Sequence, residues 1–184
     1  MRCFERWFRR ADVPLGFSEG FHPKPRMMFP APLAVGIEGL DEVMELELST
    51  PQTTEALHER LLRHAPAGFR LRRLDVLPPG TPKARPHAFR YRVHLPPERC
   101  AGVAEGVERL LASASAPVER PGGRAAVDVR PLLDHLEFRN GVLSMRLLVP
   151  PSGGVTPADV LAALGRPDLG REGARVVRTA VEVP

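Results

Sequence analysis

Four prolines within ten residues, Pro23, Pro25, Pro30 and Pro32, place the tightest limit on what this chain can fold into. Each removes a backbone donor and collides with the preceding helical turn, and each pushes the residue before it toward extended conformations. No regular helix passes through this region. The stretch FSEGFHPKPR, Phe17 to Arg26, is therefore predicted to be a stiff extended loop. It carries a serine, a glutamate, a histidine and two cations, and stiff loops commonly position ligand-contacting groups. The next segment, RMMFPAPLAVG, is expected to be an extended strand restricted to a sheet edge, because Pro30 and Pro32 cannot donate to a ladder.

Periodicity supplies the elements on either side. In MRCFERWFRRA, residues 1–11, Phe4, Trp7, Phe8 and Ala11 share one helical face, and Arg2, Arg6, Arg9 and Arg10 take the other. This helix begins at the first residue with no capping side chain and no strand before it, which predicts a segment upstream. EVMELELS alternates strictly, with Met44, Leu46 and Leu48 inward and Glu45 and Glu47 outward. Thr50-Pro51 is expected to cap and start a helix carrying Leu57, Leu61 and Ala65, and FRLRRLDVL is expected to be a strand. Helix, strand, strand, helix, strand becomes βαββαβ, the ferredoxin-like unit, once one strand is added in front.

PPGTPKARP, residues 78–86, is a proline-rich connector and the predicted domain boundary. Beyond it AFRYRVHL alternates Phe89, Tyr91, Val93 and Leu95 against Arg90, Arg92 and His94. A helix is predicted from about Pro97 to Ser113, with Cys100, Val103, Val107, Leu110 and Leu111 on one face. PVERPGG reads as a turn, and AAVDVRPLL, HLEF and VLSMRLLV as strands. Asn140-Gly141 signals a tight hairpin. Thr156-Pro157-Ala158-Asp159 signals a capped helix running to about Leu164, and ARVVRTAVEV a last strand. The expected architecture is α+β with two ferredoxin-like halves, residues 1–77 and 87–184, the first lacking its N-terminal strand.

Charge bears on partners. The net charge is +4 and the pI about 9.8, which permits an anionic partner without requiring one. From Glu38 to Glu59 the charged residues are acidic, and from Arg60 to Arg92 nearly all are basic, Asp75 excepted. Such segregation suggests faces of opposite sign, with solvated strand faces as the default explanation. Cys3 and Cys100 stand apart in no metal-binding spacing and are expected to be core thiols of a reduced, cytoplasmic protein. The six histidines are scattered over different elements, so neither a metal nor another cofactor is expected. No apolar run is long enough to span a bilayer.

Among candidate sites the basic set is the strongest. Arg2, Arg6, Arg9 and Arg10 precede Ser18, His22, Lys24 and Arg26, and guanidinium forks suit phosphate oxygens. These eight residues form the predicted nucleic-acid-binding set. Arg70, Arg72, Arg90, Arg92 and His94 form a second basic group, for which a solvated exterior is an equal explanation. A Ser18–His22 nucleophile pair has no orienting carboxylate or oxyanion-hole motif beside it, and Gly153-Gly154 reads as a turn in preference to an anion nest.

The segment MRCFERWFRRADVPLGFSEGFHPKPRMMFPAPLAVGIEG resembles a bacterial family, the radical-SAM-associated or radical-SAM-linked proteins of unknown function. The likeness rests on Arg2, Glu5, Arg6, Arg9, Arg10, Ala11, Pro14, Leu15, Ser18, Gly20, Phe21, His22, Pro23, Pro25, Arg26, Pro32, Leu33 and Gly36. A weaker likeness continues through VDVRPLL to VVRTAVEV. The resemblance implies an accessory module, a radical SAM protein as partner, and a strand ahead of Met1. The radical enzyme itself needs three clustered cysteines, which this chain lacks. A fainter likeness joins GFSEGFHP to tRNA pseudouridine synthases, whose segment reads Arg-Thr-Asp-x-Gly-Val-His-Ala. Gly20 and His22 match, but Gly16, Phe17 and Ser18 stand where the arginine, threonine and catalytic aspartate belong, and serine supplies no carboxylate. Three readings follow: a non-catalytic module binding RNA or a radical SAM partner in RNA modification or processing, an RNA-modifying enzyme using Glu19 or His22, and a protein-protein scaffold.

Overall fold

The computed structural model describes residues 2–123, 125–169 and 173–184. The helices are α1 (Arg2–Arg10), α2 (Thr54–Arg63), α3 (Val103–Ala112) and α4 (Pro157–Ala163). The strands are β1 (Met27–Met28), β2 (Ile37–Gly39), β3 (Glu45–Leu46), β4 (Ala88–His94), β5 (Pro117–Val118), β6 (Val127–Asp128), β7 (Leu133–Arg139), β8 (Val142–Leu148) and β9 (Arg175–Glu182). The fold is α+β. No helix among the described residues is long and apolar enough to cross a membrane. Two compact units are present. One holds the chain up to Pro30 together with Val43–Ala84; the other holds Ala31–Glu42 and everything from Arg85 onward.

In the first unit α1 turns its apolar side inward, as its spacing requires. Trp7 and Phe8 are buried, and with Ala11, Val13, Leu15, Leu57 and Leu61 they form the core. Phe4 closes it, its ring edge-on to Phe29 at 5.3 Å and to Phe69 at 5.2 Å between centroids, separations typical of favourable aromatic pairs. The Trp7 indole donates to the Leu61 carbonyl at 2.9 Å, which satisfies its buried N–H and ties α1 to α2. The helix expected over residues 1–11 is seen from Arg2 to Arg10; Met1 lies outside the described residues. Thr53, not Thr50, caps α2: its hydroxyl accepts from the Ala56 N–H at 3.3 Å. Gln52 is held outside the helix, its amide donating to the Pro51 carbonyl at 2.8 Å and its oxygen accepting from Arg60.

Two expected strands of this unit shrink and one does not form. Met27–Met28 and Glu45–Leu46 pair, antiparallel, as a two-stranded sheet, and Leu48 forms an isolated bridge to Leu15. Residues 69–77 belong to no ladder, although Leu71, Leu74 and Val76 pack against the core. Pairing explains this. In a βαββαβ sheet the last strand hydrogen-bonds to the first, and residues 69–77 pair with no strand among the described residues.

The second unit is built around a five-stranded sheet of order β2-β9-β4-β8-β7. β2 runs parallel to β9 and the other pairs are antiparallel. Without β2, the order is the fourth, first, third and second strand of a strand-helix-strand-strand-helix-strand series, the βαββαβ connectivity. Tyr91, Val93, Leu136, Leu143, Met145 and Leu147 meet Val103, Val107 and Leu110 of α3 and Val160 and Leu161 of α4 in one core. Asn140 and Gly141 both have positive φ, 52° and 76°, the left-handed pair that a two-residue hairpin turn between β7 and β8 requires. Thr156 and Asp159 form the expected capping box of α4, and Asp159 also binds the Arg120 guanidinium at 2.7 Å and 3.0 Å. The helix predicted from Pro97 is broken: a single 3-10 turn spans Pro97–Arg99, and Gly102, with φ of 73°, caps α3 in the left-handed region.

Two arginines of the sheet, one on β9 and one on β8, also carry charge inside this unit. Arg178, 4% exposed, binds the Glu42 carboxylate, donates to the Ala31 carbonyl at 2.7 Å and lies over the Phe89 ring at 5.2 Å. It thereby holds both ends of the segment 31–42 that supplies β2. Arg146 binds Glu182 at 2.6 Å and Asp134 at 2.8 Å, and Arg90 also reaches Glu182.

Arg178→Met should destabilise the protein by about 3–5 kcal/mol in urea unfolding, because it strands the Glu42 carboxylate, whereas adding Glu42→Leu should recover most of the loss. Equal stability of the single and double variants would refute the pairing. Hydrogen bonds from Arg146 and then Arg90 hold the Glu182 carboxyl at about 2, down from an ordinary 4.5, against the partial burial that opposes them. A depressed folded-state value stabilises above pH 4.5 and is lost as pH falls through 2. The melting-temperature gap between the parent and Glu182→Gln should therefore be widest above pH 5 and close toward pH 2.

Candidate functional site

The sequence pattern of α1 dictates its chemistry. With Phe4, Trp7 and Phe8 inside, 100° per residue places Arg2, Arg6, Arg9 and Arg10 outside, and all four are exposed. Among the described residues, the side-chain hydrogen bond they make is from Arg6 Nε to the Arg2 carbonyl at 3.4 Å. None pairs with a carboxylate among the described residues. Arg9 and Arg10 occupy the last turn, where the helix dipole favours positive charge. Cys3, a quarter-turn from the apolar stripe, is exposed and not a core thiol. Cys100 is half-buried, and its thiol donates to the Pro96 carbonyl at 3.4 Å.

The expected stiff extended loop is a hairpin. Its limbs are residues 16–18 and 24–26, joined by the Ser18 N–H to the Lys24 carbonyl at 2.9 Å and the Arg26 N–H to the Gly16 carbonyl at 2.8 Å, with Phe17 bridging Pro25. Its base is held by the Gly16 N–H to the Glu47 carbonyl at 2.7 Å and the Glu47 N–H to the Arg26 carbonyl at 3.0 Å. Gly20 turns the tip with φ of 115°, a region side chains rarely enter. The prolines leave this pairing intact because Pro23 and Pro25 fall at positions whose nitrogens are not asked to donate.

The hairpin sorts the predicted site residues. The Ser18 hydroxyl accepts from the Lys24 N–H at 3.0 Å and so closes the hairpin. Arg26 binds both oxygens of Glu47, at 3.0 Å and 3.2 Å, and its charge is compensated. His22 and Lys24 are exposed, and their side chains have no protein partner among the described residues. Two residues outside the predicted set stand out: Phe21, fully exposed at the tip, and Phe17, 53% exposed in the first limb. For Phe21 the signal in the sequence was an apolar residue set between turn formers, Gly20 before and His22-Pro23 after.

The second basic group and the acidic run are each divided between the two units. Arg90 is spent on Glu182, while Arg70, Arg92 and His94 remain exposed. The acids from Glu38 to Glu59 are distributed between the two units, and Glu38, Glu42, Glu47 and Glu59 each bind an arginine of their own unit. No cluster of histidine, cysteine and carboxylate that would hold a metal occurs among the described residues. The Gly153 N–H donates to the Pro150 carbonyl at 3.0 Å and closes a turn over residues 150–153, and the Gly154 carbonyl accepts from Arg120 at 2.9 Å.

Ser18→Ala should speed amide exchange of Lys24 about five- to tenfold, the effect of one lost hydrogen bond of roughly 1 kcal/mol, and leave the unfolding midpoint nearly unchanged. Unaltered exchange would show that the hydroxyl does not close the hairpin.

No curated protein and no solved structure shows a significant match to the chain. A family match covers residues 1–157, which takes in α1, the hairpin, β1 to β8 and the start of α4. On that match the chain belongs to DUF2344, the family described as uncharacterized proteins conserved in bacteria.

Proposed function

We propose that this protein is an RNA-binding accessory module acting in RNA modification or processing. The observation that carries the reading is the cationic side of α1: four guanidinium groups on nine residues, exposed and without a carboxylate partner among the described residues. Many arginines elsewhere in the protein are compensated. Arg26, Arg63, Arg120, Arg146, Arg175 and Arg178 each hold a carboxylate. Like charges one turn apart repel, and an external polyanion relieves that repulsion. Guanidinium is the cation best matched to phosphate oxygens, with its donors in a fixed fork.

Lys24 and His22 extend the same unit's supply of exposed donors, whereas Ser18 and Arg26 shape the hairpin that carries them. A reducing, cytoplasmic setting fits the two free thiols, Cys3 and Cys100. The likeness of residues 1–39 to radical-SAM-linked proteins supports a radical SAM protein as the partner that the module serves, and copurification of such a protein after nuclease treatment would test that association apart from RNA.

Binding to RNA should weaken steeply with added salt, since each phosphate neutralised on a single strand contributes about 0.7 to the log–log slope. Arg6→Glu/Arg9→Glu/Arg10→Glu should flatten that slope by about 2 and abolish binding at physiological salt. The buried Trp7 indole reports by its fluorescence that the fold survives. Salt-independent binding, or a triple variant that binds like the parent, would overturn the proposal.

A further inference from the structure

The hairpin tip narrows what kind of RNA the protein takes. Phe21 exposes its whole ring to solvent, and Phe17 exposes half of its own in the first limb. Single exposed apolar residues are ordinary on protein surfaces. Phe21 differs in how it is held. Backbone bonds from Ser18 to Lys24, Arg26 to Gly16 and Gly16 to Glu47 fasten the limbs, the Ser18 hydroxyl adds a further bond, and Pro23 and Pro25 restrict the returning limb. The ring is thus presented on a preformed projection, so that less conformational entropy remains to be lost when something covers it.

The surroundings of the ring select the occupant. His22 and Lys24 stand exposed within three residues of Phe21, and Arg2, Arg6, Arg9 and Arg10 belong to the same unit. Aromatic faces combined with cations are how proteins hold single-stranded nucleic acid without base readout: the cations follow the backbone and the rings stack on bases. A duplex offers phosphates and base edges, but its base faces are already covered by their neighbours. Only an unpaired base has a face to give. A lipid surface fits less well, since one exposed ring at the tip is a small apolar area to insert.

We infer that Phe21 is a stacking platform for an unpaired nucleobase, so that the ligand is RNA single-stranded where it meets the hairpin. This inference rests on the RNA-binding reading above and adds to it the strandedness of the ligand and a residue outside the cationic set. The base stacks on the ring face while the adjoining phosphates meet the cations.

The test measures binding by the full chain at low salt to a short fluorescein-labelled oligouridylate, to an RNA duplex of the same length and to vesicles containing phosphatidylserine. The parent should prefer the single strand. Phe21→Ala should weaken that binding about 5- to 150-fold, the span of stacking on one base, and leave duplex binding as it was. Phe21→Leu should be nearly as weak as alanine, because it keeps apolar area and loses the ring. Phe21→Trp should bind at least as well as the parent, with emission of the new indole quenched on binding; Trp7 is buried and stays silent. Phe21→Ala binding the single strand like the parent, or Phe21→Leu matching phenylalanine, would overturn stacking and leave the salt-dependent reading standing. An effect of Phe21→Ala confined to vesicles would overturn it as well. Failure of the parent to bind either RNA would overturn both readings together.

Discussion

The first unit depends on one contact, the Trp7 indole N–H donated to the Leu61 carbonyl inside an aromatic core. A nine-residue helix is too short to be stable in water by itself, so α1 exists because its apolar side is buried. Phe4, Trp7 and Phe8 hold that side against Phe29, Phe69, Leu57 and Leu61. A helix of period 3.6 with one side committed to a core has no choice about the other. The burial of Trp7 and Phe8, with Phe4 half-buried beside them, and the exposure of four arginines are one event, and removing the aromatic anchor would remove the cationic surface with it.

The second unit is governed by a different constraint, the matching of buried or half-buried charges. Arg178 and Glu42, Arg120 and Asp159, Arg146 and Glu182 each place a guanidinium where water is scarce, and each is satisfied by a forked carboxylate contact. Arg178 also takes the Ala31 carbonyl. Residues 31–42 thereby enter the second unit and add β2 to the edge of a sheet that their own sequence, interrupted by Pro32 and Gly36, would not organise. Against this background the lone guanidinium groups of α1 gain their meaning. A chain that finds carboxylates for so many arginines leaves these facing solvent.

Elements with strong local signals were legible beforehand for physical reasons. Asn140-Gly141 can adopt paired left-handed conformations, and Thr156-Pro157-Ala158-Asp159 contains every group of a capping box. Strict alternation in AFRYRVHL leaves a strand as its natural state. What failed depended on distant partners. Residues 69–77 have the composition of a strand and pair with no neighbour among the described residues. The Thr50-Pro51 start lost to Thr53, whose hydroxyl reaches the Ala56 N–H. Gly102 divided a helix whose apolar spacing continued through it. The hairpin at 16–26 was hidden because its prolines argued against pairing, and only coordinates show that they fall where no donor is required.

The sequence alone determined which side of α1 is apolar, where the tight turn and the capped helix lie, and that residues 22–32 avoid helix, because these follow from the covalent properties of a few adjacent residues. Tertiary structure decided which charges remain available. Arg26 and Arg6 are equivalent as letters, yet one is neutralised by a glutamate 21 residues away and the other is not. The same holds for Arg178, whose carboxylate lies 136 residues distant. Electrostatic pairing acts through space, and local sequence does not carry the separation in space of residues so far apart along the chain.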